Sequence, residues 1–295
     1  MRAPIRRLAV AVAAACALWP APASAQSTLS LAPGTDAGKA TAAWREALLV
    51  FHAPAKLEAV LAAEHAPTPR EAAWIELIRS RLPAWTTATA ALAAPFGEVP
   101  VPDRVAVLPG NVGGQDAFTP SDTTIAFDVG RLARLYGDAS DPPNRDRIDR
   151  FFAHEYTHVV HDAWLRVHPL DLSTPLRRAL WDCLVEGLGN YRSLSPRWKA
   201  EDGGPSAHAR RVLARLEPVF ARRIAALAAA TPAEEAALTE GLSMGPFEEK
   251  WGALSVALWL LAETRGEDGE LAAWIEAGPD GVLALARRHL DPALA

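Results

Sequence analysis

Residues 154–158 read His-Glu-Tyr-Thr-His and lie inside a periodic segment, residues 145–168. Apolar residues recur there at intervals of three and four, which predicts an α-helix: Ile148, Phe151, Phe152, Tyr156, Val159 and Val160. Positions four apart lie one above the other on a helix, so His154 and His158 can reach one metal ion. Glu155 lies beside them and is placed to activate a water molecule. The stretch predicts a helix that packs in the core and carries a metal site.

A second predicted helix supplies a candidate third ligand. Thr174-Pro175 is typical of a helix start, and Glu186 lies among apolar residues farther along. A partly buried carboxylate requires a partner or a metal ion. A catalytic zinc ion takes three protein ligands and leaves one position for water. We therefore predict one Zn²⁺ ion held by His154, His158 and Glu186.

The residues around Glu186 are small or polar. Gly187 and Gly189 would let the second helix approach the first closely enough for the carboxylate to reach the metal. Asn190 follows Glu186 by one turn and could hydrogen-bond a histidine ligand from outside, which would fix its tautomer.

Two other residues were weighed as ligands. His161 would stand nearly two turns above His154 on a straight helix, too far to share one ion easily. The pattern with a third histidine after H-E-x-x-H needs Gly at position 161 and His at position 164, where this chain has His161 and Trp164. We expect His161 to be a neighbour of the site or a polar surface residue. Cys183 is expected to be a buried apolar residue rather than a ligand.

Together these motifs resemble the gluzincin metallopeptidases, in which the third zinc ligand is a glutamate on the helix after H-E-x-x-H. The resemblance, to uncharacterised bacterial families of zinc-dependent peptidases, runs from about Val99 to Leu290 and includes Gly245-Pro246-Phe247 and Trp251-Gly252. Many gluzincins have Asp where this chain has Asn190. The resemblance implies that zinc polarises a scissile peptide carbonyl and that Glu155 carries a proton from water to the leaving amine.

The remaining patterns predict an α+β fold that is mainly α-helical, with a zincin-like core and a small sheet before the H-E-x-x-H helix. Helical periodicity covers residues 40–94 and 206–290, and residues 99–193 hold the sheet and the active-site helices. Short Val- and Ile-rich runs predict strands at 99–108 and 123–129. The strand from Thr123 to Asp128 would be an edge on which an extended peptide pairs, or simply a core strand. We expect residues 26–295 to form one domain.

The first 25 residues are predicted to be a secretory signal peptide. A basic start is followed by an apolar run, and Ala23-Ser24-Ala25 before Gln26 fits a cleavage site. Cys16 could instead be the lipidated first residue of a lipoprotein, but no larger aliphatic residue stands in Ala13-Ala14-Ala15 before it. We expect an exported protein, periplasmic or secreted, with no transmembrane helix once the signal is removed.

The charge composition narrows the classes of molecule that this protein is expected to bind. The net charge is −5, and removal of residues 1–25, which carry three arginines and no acid, would make it more negative. Binding to nucleic acid needs clustered positive charge and is therefore not expected. We expect a peptide or protein substrate. Tyr191, His208 and Arg210 are candidates by type only for a residue that stabilises an oxyanion. The alternative function is a non-catalytic zinc-binding or scaffold protein.

Overall fold

The computed structural model describes residues 26–36 and 38–290. The predicted signal peptide, its cleavage site after Ala25 and Cys16 lie outside the described residues. The strands are β1 (Thr28–Leu31), β2 (Thr35–Asp36), β3 (Lys39–Ala40), β4 (Arg104–Gly110), β5 (Ala117–Ser121) and β6 (Thr124–Asp128). The helices are α1 (Ala42–Leu48), α2 (Pro54–Leu61), α3 (Pro69–Ala93), α4 (Val129–Tyr136), α5 (Pro142–Val167), α6 (Pro175–Ser193), α7 (Ala207–Ala228), α8 (Glu235–Thr239), α9 (Ala253–Thr264), α10 (Ala272–Ala277) and α11 (Pro279–His289).

Four strands form one sheet in the order β1, β4, β6, β5. β1 and β6 run parallel to β4, while β5 pairs with β6 in antiparallel orientation. The two predicted strands are present as β4 and β6, with ends shifted by up to five residues. The sequence patterns do not predict β1 and β5, because TLSL and AFTPS are short and half polar.

The structure decides between the two interpretations of the strand from Thr123 to Asp128. It is a core strand and not an edge, because β6 lies between β4 and β5. β5 forms that edge instead. Pro120 lies in β5, which suits an edge position because proline cannot donate a hydrogen bond to a further strand.

Side chains near the helix ends explain where several helices begin. Thr68 accepts a hydrogen bond from the backbone of Glu71, whose carboxylate accepts one from the backbone of Thr68, so α3 begins with a capping box. α5 begins at Pro142, three residues before the periodic segment of residues 145–168. Its two prolines fill the first turn, where no intrahelical N–H donor is needed.

α5 lies between the sheet and the other helices. Phe152 stacks on Trp85 of α3 with ring centroids 4.6 Å apart, and Tyr156 donates to or accepts from Ser27 at 2.8 Å. Its other flank packs against α6, which packs in turn against α9. The H-E-x-x-H helix is therefore held on both sides by buried apolar side chains, as its periodicity predicts.

The predicted fold class is confirmed: the described chain is α+β and mainly helical, with a small sheet. The helices of residues 206–290 include α9, whose residues are almost all buried. Within the described ranges, no helix has the length and apolar character required to cross a membrane.

Candidate metal centre

The two histidines of the motif lie on one face of α5, as the helical period predicts. Their ring centroids are 4.8 Å apart. The side chain of His154 is 14% exposed and that of His158 is 16% exposed. Both imidazoles are therefore largely shielded by protein and still accessible from one side.

The third predicted ligand lies opposite them on α6. Oε2 of Glu186 is 3.8 Å from Nε2 of His154, and Oε1 of Glu186 is 3.8 Å from Nε2 of His158. The carboxylate thus faces one histidine with each oxygen. One ligand atom from each of these three residues lies within 4.8 Å of the others. Among the described residues, no other group of three or more His, Cys, Asp or Glu side chains is arranged in this way.

A glycine makes this close approach of α6 possible. A methyl group on Gly189 would lie 2.9 Å from Nε2 and Cε1 of the His154 ring, which is closer than side chains pack. Gly187, which we expected to serve the same purpose, instead accommodates α9: a methyl group there would lie 2.5 Å from Cγ1 of Val256. Each glycine thus brings a different helix close to α6.

A buried arginine also links the two ligand helices. Nη1 of Arg192 on α6 donates to the hydroxyl of Thr157 on α5 at 3.0 Å. Thr157 lies next to His158, so this hydrogen bond helps to set the distance between the helices beside the site.

The donor set suits a divalent cation such as zinc. Burial and the neighbouring His158 hold the pKa of His154 well below its ordinary value, so its imidazole is neutral and free to ligate. Ligand atoms at zinc bond lengths of about 2.0–2.2 Å lie about 3.3–3.6 Å apart in a tetrahedron. The observed 3.8 Å separations need to close by only a few tenths of an ångström, and they are too long for hydrogen bonds.

Glu155 follows the candidate ligand His154 in α5 and is buried. Its Oε2 accepts a hydrogen bond of 2.9 Å from the hydroxyl of Thr119 on β5. Burial raises the pKa of Glu155 to about 7, although His158 and Thr119 act in the opposite direction. A carboxylate with a pKa near neutrality can both accept and release a proton at neutral pH, which suits a general base.

Asn190 and His161 are both buried next to this region. The predicted hydrogen bond from Asn190 to a histidine ligand is not found among the described residues, where its Nδ2 has no partner. His161 is not a surface residue: its ring lies between Phe96 and Trp181, with centroids 4.9 and 5.0 Å away. His161 does not belong to the group of three candidate ligands.

The three residues proposed by type for an oxyanion have other partners. The hydroxyl of Tyr191 lies 3.0 Å from that of Thr264. His208 contacts Glu248 at 3.3 Å, and Arg210 donates to the backbone oxygen of Pro205 at 2.6 Å. Two residues that act on the candidate site are not indicated by the sequence motifs: Thr119, which binds Glu155, and Lys250, whose charge acts to lower the pKa of both His154 and Glu155. Of these two residues, only Thr119 has a signal in the sequence, which is the weak β-strand pattern around it.

Comparisons with family models, with curated proteins and with solved structures find no match to this chain.

Proposed function

We propose that this chain is an exported zinc metallopeptidase of the gluzincin type that hydrolyses peptide bonds. One observation carries the proposal: His154, His158 and Glu186 converge within 4.8 Å, and the buried Glu155 follows His154 in the same helix, where the charges of His158 and Glu186 influence its pKa. When bound there, zinc would polarise a carbonyl group and lower the pKa of a water molecule.

Glu155 would carry the proton in this reaction. Thr119 binds its Oε2, and no hydrogen-bond partner of Oε1 is found among the described residues, so Oε1 is available to the attacking water. The carboxylate takes a proton as the oxygen of water bonds to the carbonyl carbon. It then delivers that proton to the nitrogen as the C–N bond breaks, and both products are released with Glu155 again ionised.

The edge strand β5 supports a peptide as the substrate. It is the strand that contacts Glu155, and its outer edge pairs with no other described strand. An extended peptide added at such an edge would form backbone hydrogen bonds and lie alongside the general base. β5 is therefore the edge that one interpretation of the sequence assigned to β6.

The proposal is tested with the purified protein and the variant Glu155→Gln. The parent should bind about one zinc ion per chain and cleave a denatured protein substrate. Glu155→Gln should keep the zinc and lose about 10²- to 10⁴-fold in rate, because it cannot accept the proton. Glu46→Gln, an exposed position on α1, is the matched control and should behave as the parent.

Two results would contradict the proposal in different ways. If Glu155→Gln cleaves as fast as the parent, Glu155 is not the general base. If parent and variant both bind one zinc and neither cleaves any member of a peptide library, the non-catalytic zinc-binding protein is the better description.

A further inference from the structure

Lys250 lies at the end of a loop, residues 240–252, that connects α8 to α9. The two ends of this loop are hydrogen-bonded together: the backbone N–H of Trp251 donates to the oxygen of Gly241 at 3.1 Å, and its indole N–H donates to that of Glu240 at 2.9 Å. Gly241 has a φ of 73°, which turns the chain there. Trp251 is buried, so the backbone next to Lys250 is firmly placed.

This loop ends on the part of α6 that carries the third metal ligand. A methyl group on Gly252 would lie 2.6 Å from Sγ of Cys183, and one on Gly187 would lie 3.5 Å from the backbone oxygen of Ala253. The chain immediately after Lys250 therefore touches α6 on both sides of the turn that ends in Glu186. This contact places the backbone next to Lys250 against the helix that carries Glu186.

The ammonium group of Lys250 has no carboxylate partner. Within the described ranges, no Asp or Glu oxygen lies within 4.0 Å of its Nζ, which instead lies 5.8 Å from the ring centroid of Phe247. The neighbouring Glu248 is paired with His208 and with Arg215. A half-buried cation with no acid to neutralise it is suited to an anion that arises only when substrate is present.

We infer that Lys250 binds the oxyanion formed from the scissile carbonyl, an assignment that rests on the proposed peptidase function. When water attacks the carbonyl carbon, the π electrons of the C=O bond move onto its oxygen, which becomes negatively charged. Lys250 would stabilise that charge by a charge-assisted hydrogen bond. The electrons return to re-form C=O as the C–N bond breaks, and Lys250 keeps its protons throughout.

The charge of Lys250 also influences two groups of the candidate centre. Burial is the largest cause of both pKa shifts, lowering the pKa of His154 and raising that of Glu155, and the positive charge of Lys250 acts to lower both. This influence agrees with the contact between the backbone beside Lys250 and α6.

The test compares Lys250→Met, which removes the charge, with Lys250→Arg, which keeps it. Lys56→Met, on the exposed face of α2, is the matched control. In the zinc-loaded protein, Lys250→Met should lower kcat by about 10²-fold while KM stays within about threefold, because the oxyanion exists only in the transition state and not in bound substrate. Lys250→Arg should recover most of kcat, and the zinc content of all variants should equal that of the parent.

A binding measurement separates this inference from the proposed function. Calorimetry measures the affinity of the zinc-loaded proteins for phenylphosphonate, a tetrahedral anion, and for imidazole, a neutral metal ligand. Lys250→Met should weaken phenylphosphonate binding by at least about tenfold and leave imidazole binding within about twofold.

The possible results test the oxyanion site and the peptidase activity separately. Equal phenylphosphonate affinity in parent and Lys250→Met overturns the inference, whether or not the parent cleaves peptides. A rise in KM at constant kcat also overturns it, since Lys250 would then bind substrate rather than the oxyanion. Loss of phenylphosphonate binding in a protein that cleaves nothing would support the anion site and refute the peptidase.

Discussion

Gly189 offers a direct test of how the candidate centre is built. A methyl group at this position would lie 2.9 Å from Nε2 and Cε1 of His154 and 3.0 Å from its Cδ2. Carbon and ring atoms in contact are normally about 3.5–4.0 Å apart, so the ring would have to move by about 0.6–1.0 Å. Because the ring is the end of a side chain, Gly189→Ala can move it without displacing backbone.

A movement of this size exceeds the displacement that a metal ligand tolerates. Ligand distances at a metal site are held to within about 0.2 Å, so the displaced Nε2 would leave its place opposite Glu186. We expect zinc affinity to fall by about 10- to 100-fold, as when the groups that orient a ligand are removed. The metal-free fold should change little, since alanine is favoured over glycine in a helix by about 1 kcal/mol and this offsets the displacement of the ring.

Gly187→Ala is the matched control, two residues away on the same helix. Its methyl group would lie 2.5 Å from Cγ1 and 2.8 Å from Cβ of Val256, which belongs to a buried part of α9. Overpacking of this kind costs about 1–3 kcal/mol of unfolding free energy. Gly187→Ala should therefore lower the melting temperature of the metal-free protein and leave zinc affinity within about threefold.

The assay measures zinc affinity by competition with a chromophoric chelator, and melting of the metal-free proteins by circular dichroism. The reasoning is refuted if Gly189→Ala binds zinc as tightly as the parent, or if both variants lose zinc affinity to the same extent. In the second case the loss would follow from general damage to α6 rather than from the His154 ring.

Two further predictions concern the general base and export. Thr119→Val removes a hydrogen bond that lowers the pKa of Glu155, so that pKa should rise and the acidic limb of kcat/KM should move to higher pH. Activity at pH 6 should then fall by about threefold more than activity at pH 8, and an unchanged pH profile would show that Thr119 does not act on the base. Mass spectrometry of the exported protein should find Gln26 at its N-terminus. A lipid-modified Cys16 at the N-terminus would instead establish the lipoprotein.

Most of the helical fold can be predicted from the sequence because helix signals are local. The capping pair Thr68 and Glu71 and the proline at position 175 mark where α3 and α6 begin. The sheet is predicted less well, since β1 and β5 are short and become strands only by pairing with β4 and β6. The same dependence on pairing explains why the sequence left open whether β6 is an edge strand or a core strand.

The candidate site likewise has one part that the sequence predicts and one part that it does not. His154, Glu155 and His158 come from one helical turn, so the period of the helix alone places two imidazoles and a carboxylate together. The helical period does not predict the burial of His161, because that burial depends on contacts with Phe96 and Trp181 from other elements.

The sequence by itself therefore determined the features that residues close in the chain form together: the helices, the pair of histidines and the glutamate next to His154. Only the tertiary structure decided that Glu186 faces both imidazoles, that Thr119 binds the proposed general base from 36 positions away, and that the charge of Lys250 influences His154 and Glu155. The physical reason is that these distances depend on how closely helices and strands pack. That packing is set by contacts such as Gly189 against His154, which join residues far apart in the chain.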